Sequence, residues 1–147
     1  MSVLPEQRED GDFVITQRML ELALDGKKPE ALVLRTVANS QLKLNRNWSN
    51  TNPPYISAEA MQWLVAQGVD HLLLDLPSVD REVDGGALAA HRAFWNYPEN
   101  TQAHRTITEM IYVSNEIFDG PYFLNLQIAP FENDASPSKP VLYRILN

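Results

Sequence analysis

Residues 69–95 read VDHLLLDLPSVDREVDGGALAAHRAFW, and this stretch decides the fold. An unbroken apolar run, Leu72-Leu73-Leu74, closes on Asp75. A run that short and that apolar fits a strand buried on both faces, the pattern of a parallel sheet. Pro77 breaks it into the polar segment Ser78-Val79-Asp80, and Asp84-Gly85-Gly86 then turns the chain into an Ala-rich helix carrying His91. The order is buried strand, acidic loop, helix. Open α/β sheets gather their chemistry at the carboxyl ends of strands, which makes Asp75, Ser78, Asp80 and His91 the first residues to suspect of function.

Upstream of this core, Ser57 is placed to cap a helix whose Met61, Leu64 and Val65 share one face, with Gly68 at its end. Ala31–Val37, rich in aliphatic and β-branched residues, reads as a second buried strand, and Gly11–Ile15 as a shorter one. Between them Thr16 can cap a helix over Gln17–Asp25 that Gly26 ends. Asn39 to Ile56 is a long polar connection in which Pro53-Pro54 disfavours helix and strand pairing; its Arg46, Trp48 and Tyr55 could contact a ligand or pin a surface loop.

Downstream, Asn96–Arg105 is a polar break. Thr106–Val113 alternates with period two, placing Ile107, Glu109, Ile111 and Val113 on one face of a strand. Asp119-Gly120-Pro121 is a turn, Tyr122–Ala129 a strand, Pro130–Pro140 a loop, and Val141–Ile145 a last strand. About three helices and six strands in alternating order predict a single α/β domain over residues 1–147 with a mixed sheet.

The chain has 147 residues, with 12 Lys plus Arg against 19 Asp plus Glu and the acidic excess spread along it. That charge balance argues against nucleic acid and anionic membranes as partners. No apolar run approaches the roughly 20 residues that span a bilayer, and the amino terminus lacks a signal-peptide pattern, so a cytoplasmic, soluble protein is expected. Absence of cysteine excludes disulfides, thiolate nucleophiles and thiolate metal sites. Any metal must be held by His, Asp, Glu or amide oxygen.

No GxGxxG or GxxxxGK[ST] loop, GxSxG elbow, or HExxH or HxH pair occurs. The remaining candidates are Asp75, Asp80, His91, His104 and Glu109. His91 shares a helical stripe with Leu88 and Trp95 and faces the body of the domain, as a hydrogen-bonded core residue or as a ligand. Glu109 sits in an aliphatic row, where a bare charge would cost several kcal/mol; it must be paired with an arginine (Arg35, Arg92 or Arg105), protonated or metal-bound. Together an inward imidazole and an inward carboxylate form half of a nitrogen/oxygen metal site, and no third ligand stands out. Asp80 reads as a helix cap or loop residue, Ser78 has no base beside it in sequence, and His71 and His104 read as surface or structural residues.

LLLDLPSVD, GGALAAHRAFW, TITEMIYVSNEI and FLNLQIAPF together resemble the C-terminal half of the cyclase-like metal-dependent hydrolases, the group that includes kynurenine formamidase and isatin hydrolase. The matching positions are Asp75-Leu76-Pro77-Ser78-Val79-Asp80, Ala90-His91-Arg92 and Thr108-Glu109-Met110. The resemblance implies a swivelling β/β/α fold, Glu109 as a metal ligand, His91 as a ligand or acid/base, zinc or manganese as the metal, and water-driven cleavage of an amide or lactam C–N bond in a small-molecule substrate. The family's H-x-G-T-H-x-D-x-P-x-H motif, which supplies most of its metal ligands, does not occur in this sequence. A chain corresponding to the C-terminal portion of the domain is therefore expected, with incomplete metal chemistry and doubtful activity by itself. Uncovered apolar surface would make it a homo-oligomer, or another chain would complete the site. The other reading is a non-catalytic interaction or remnant domain.

Overall fold

A computed structural model describes residues 1–146. Two compact units divide the chain, Met1–Ile117 and Phe118–Asn147. In the first, strands β1 (Ser2–Val3), β4 (Ala31–Thr36), β6 (His71–Leu74) and β7 (Thr106–Thr108) form an all-parallel sheet in the order β1-β4-β6-β7. The run Leu72-Leu73-Leu74 lies inside this sheet and is fully buried, as its lack of alternation requires. β4 instead alternates, burying Leu32, Leu34 and Thr36. A second, smaller sheet joins β2 (Glu6–Gln7), β3 (Phe13–Ile15) and β5 (Tyr55–Ile56), with β3 and β5 parallel.

Helices α1 (Gln17–Leu24), α2 (Ala58–Ala66) and α3 (Ala89–Trp95) complete the unit. Ser57 Oγ accepts the Ala60 amide at 3.2 Å, capping α2, and Asp25 and Gly26 end α1 in left-handed backbone. Leu20, Leu24, Met61, Leu64 and Phe94 from the helices meet Leu32, Leu34, Leu72 and Leu74 of the sheet in one core. Burying each such side chain contributes roughly 1.5–3 kcal/mol. The second unit is a hairpin of β8 (Tyr122–Ile128) and β9 (Ser138–Arg144), antiparallel with Leu124 opposite Leu142. No helix among the described residues is long and apolar enough to cross a membrane.

Three expectations need correction. Thr106–Val113 is a strand only to Thr108, because Met110 adopts φ 57° and turns the chain out of the sheet. Glu109 therefore stands at the carboxyl end of β7 instead of inside an aliphatic row. Tyr55-Ile56, directly after Pro53-Pro54, does pair with Val14-Ile15: the prolines precede the ladder and remove none of its donors. Leu88 is exposed and lies before α3 in left-handed backbone, so the inward stripe of that helix is Ala90 and Phe94, with His91 and Trp95 at its edge.

Candidate active site

The loop after β6 and the first turn of α3 build the site together. Asp84 Oδ1 accepts the Gly86 amide at 2.8 Å and Oδ2 the Leu88 amide at 2.6 Å, shaping the turn that delivers α3. Asp80, buried, then receives the free amides at the start of that helix: Oδ1 accepts from Ala90 N at 2.6 Å and Oδ2 from His91 N at 3.3 Å. The same Oδ2 lies 2.6 Å from Nδ1 of the His91 ring. Capping and contact with His91 are thus one arrangement.

With Nδ1 taken by Asp80, Nε2 is the ring nitrogen left for chemistry, and it lies 3.5 Å from Glu109 Oε1. That oxygen accepts the Val79 amide at 3.1 Å, while the Val79 carbonyl accepts Ile56 N at 2.9 Å, so the backbone of one residue ties the acidic loop to β5 and to Glu109. The Trp95 ring packs beside His91 with centroids 5.4 Å apart. The arginines considered as partners for Glu109 are engaged elsewhere: Arg105 with Asp70, Arg92 over the Tyr97 ring, and Arg35 with Ser2 and the carbonyls of Ser114 and Ile117.

Electrostatics follow from these contacts. Burial alone would raise the Asp80 carboxyl, but the His91 ring and the Ala90 and His91 amides outweigh it and hold Asp80 below the usual carboxylate range. Burial would lower His91, yet the hydrogen bond to Asp80 and the negative charges of Glu109, Asp80 and Asp84 raise it. Glu109 is raised by burial, against the opposing pull of His91 and the Val79 amide. The His91–Glu109 pair holds a proton more tightly than either group would in water and titrates as a unit. An oriented imidazole backed by a carboxylate can accept and return a proton at Nε2.

Asp75, suspected for its strand-end position, stands apart. Its fully buried carboxylate accepts the Thr36 amide at 2.9 and 3.0 Å, Thr36 Oγ1 at 3.0 Å and Lys43 Nζ at 2.7 Å. It fastens the Gln41–Asn45 turn of the long polar connection to β4 and β6. Trp48 from that connection is buried with Arg46 stacked 4.2 Å from its ring, a pinned loop. Ser78 Oγ only closes a local turn to Asp80 N, His71 bonds Thr106 Oγ1, and exposed His104 faces Asp70.

A family described as "Putative cyclase" matches residues 2–81, 80 of the chain's 147. The chain belongs to that family. The matched segment holds β6 and the loop from Asp75 to Asp80; His91 and Glu109 lie beyond it. No curated protein matches this cyclase-family chain in sequence. Among solved structures, it is similar to a predicted metal-dependent hydrolase from Bacillus stearothermophilus, with a TM-score of 0.65 at 15% identity over 96% of this chain and 60% of the other. A potential metal-dependent hydrolase with cyclase activity gives 0.66 at 16% identity, covering 95% and 62%. An isatin hydrolase bound to the product analogue thioisatinate gives 0.57 at 10% identity, covering 95% and 57%. The α/β fold is that of the cyclase-like hydrolases, and the chain spans about three fifths of the length of these solved relatives.

Among the described residues no three His, Asp or Glu side chains come together in an arrangement that could hold a metal ion. His91 Nε2 and a Glu109 oxygen are two donors, short of the about three that a catalytic site takes from protein.

Proposed function

We propose that this chain carries the His91 and Glu109 side of a cyclase-like metal-dependent hydrolase that cleaves an amide or lactam C–N bond, residues 1–147 corresponding to the C-terminal portion of such a domain. The observation that carries the reading is the pair of contacts on one ring, Asp80 at Nδ1 (2.6 Å) and Glu109 facing Nε2 (3.5 Å). The names of the structural neighbours, metal-dependent hydrolases and an isatin hydrolase, support the choice of reaction. His91 acts as the acid/base: Nε2 accepts a proton as water adds to the carbonyl carbon and returns it to the nitrogen as the C–N bond breaks. Asp80 holds the ring in the tautomer that leaves Nε2 free and stabilises the imidazolium. Glu109 is assigned as one ligand of a zinc or manganese ion. Among the described residues that ion's donors are incomplete, and a second copy in a cytoplasmic homo-oligomer, or another chain, would supply the rest.

Hydrolysis of an aryl formamide and of isatin, assayed with zinc or manganese added, tests the reading. His91→Ala should cost about 10²–10⁴-fold in rate, and Glu109→Gln should weaken metal binding measured by titration. A second reading, a non-catalytic interaction or remnant domain, is favoured by the shortage of metal donors. It is adopted if neither turnover nor bound metal appears under any loading and Glu109→Gln alters stability alone.

A further inference from the structure

Apart from the His91 cluster and the Asp75–Lys43 contact, charge and buried polar groups also converge on Asp12 and Arg81, the latter next to Asp80. Asp12, on the edge of β3, is 2% exposed at its side chain. Its Oδ1 accepts from Asn52 Nδ2 at 2.9 Å and from an Arg81 terminal nitrogen at 3.1 Å; Oδ2 accepts from Arg81 Nε at 2.8 Å and from the Tyr55 hydroxyl at 3.1 Å. The guanidinium therefore grips both carboxylate oxygens, the geometry that fixes orientation as well as distance. Glu82 extends the grip, accepting the amides of Asn50 at 2.5 Å and Asn52 at 2.9 Å.

We propose that Asp12 and Arg81 are positioning residues of the His91 site: by anchoring residue 81 they hold the carboxyl-side backbone of Asp80 and so keep the Asp80 carboxylate aimed at Nδ1. The inference rests on the acid/base reading of His91. Two arguments favour it over simple stabilisation. Arg81 is 45% exposed, and an exposed ion pair placed only for stability is worth little, whereas this one is matched to a buried carboxylate that two further side chains, Asn52 and Tyr55, also hold. The anchored residue also adjoins the one whose carboxylate must reach across the turn to α3. On its amino side that residue is already held, Val79 being fastened through both its amide and its carbonyl. Arg81 supplies the missing second hold, and Asp80 stands between two fixed points.

The low-field proton resonance of the His91 Nδ1–H···Asp80 bond reads this directly, assigned by its disappearance in His91→Gln and recorded without substrate or metal. In Arg81→Gln, with circular dichroism and tryptophan fluorescence matching the parent, the resonance should vanish through exchange with water, and Arg81→Lys should keep it. Asp12→Asn, which keeps a side chain able to bond Asn52 and Tyr55, should lose it as Arg81→Gln does. A folded Arg81→Gln protein with the resonance undiminished overturns the proposal, as does failure of both variants to fold, which would make the pair a folding determinant. Because the readout needs no turnover, a wild-type protein that hydrolyses neither amide would defeat the functional reading while leaving this comparison intact.

Discussion

The carboxylate of Asp80 binds the ring of His91 at 2.6 Å and, in the same pose, the amide of Ala90 at 2.6 Å. One side chain thus closes a helix and orients the imidazole that the helix carries. Replacing Asp80 by Asn removes the charge behind all three bonds and should cost about 2 kcal/mol in urea unfolding. The pH dependence has a definite sign. Asp80 is lowered from 3.8, so its contribution is present above that value and is lost as pH falls through the folded one. His91 is raised from 6.5, so its contribution is complete below 6.5 and is lost as pH rises through its folded value. The difference between wild type and Asp80→Asn should therefore be largest between 3.8 and 6.5 and shrink on either side.

Glu109→Gln should behave in the opposite way. Burial raises Glu109 above 4.5, so the folded state is penalised as the group ionises, and stability falls with rising pH from 4.5 onward. The amide keeps an acceptor for Val79 N while removing the charge. Stability at neutral pH should be equal or higher by up to about 1 kcal/mol, the trade-off expected where a site is kept for function. A loss of more than that in a pH series of denaturation curves would contradict the burial argument.

Lys43→Met should be among the most damaging single changes in the first unit. It leaves the wholly buried Asp75 carboxylate with Thr36 as its remaining partner, at a cost of about 3 kcal/mol. Trp48, Trp63 and Trp95 all lie in that unit, so tryptophan fluorescence follows its unfolding. Asp75→Asn combined with Lys43→Met should be less harmful than the sum of the two, because the uncompensated charge is then gone.

Leu88→Gly should be neutral or stabilising by about 0.5–1 kcal/mol. Leu88 holds φ 47° at the entrance to α3, a conformation that costs a branched side chain energy and glycine little, and the side chain is 45% exposed, so little packing is lost. Thermal melts of the two proteins decide it.

Much of this fold was legible because its signals are local. Leu72-Leu73-Leu74 announces a buried parallel strand, Ser57 and Thr16 mark helix starts, and Leu124 and Leu142 belong to strands readable from alternation. The end of β7 was not legible, since TITEMIYV alternates well past the point where Met110 turns, and a positive φ at methionine has no sequence signature. In the site, His91 and Glu109 could be singled out as inward polar residues, and Asp80 as a cap. That Asp80 also holds the ring could not be read, because the contact spans a turn whose geometry depends on Asp84 and Leu88. Lys43 and Arg81 stand in polar segments, and nothing in their sequence neighbourhoods says that one reaches Asp75 and the other Asp12.

The hydrogen bond from Ala90 N to Asp80 gives the site a gauge of its own opening. Ala90 is buried and its amide is satisfied by a side chain instead of by the helix. Its deuterium uptake therefore cannot proceed by ordinary fraying of a helix end; the acidic loop must first let go. The protection of that single proton reports the free energy with which the assembled Asp80–His91 unit opens.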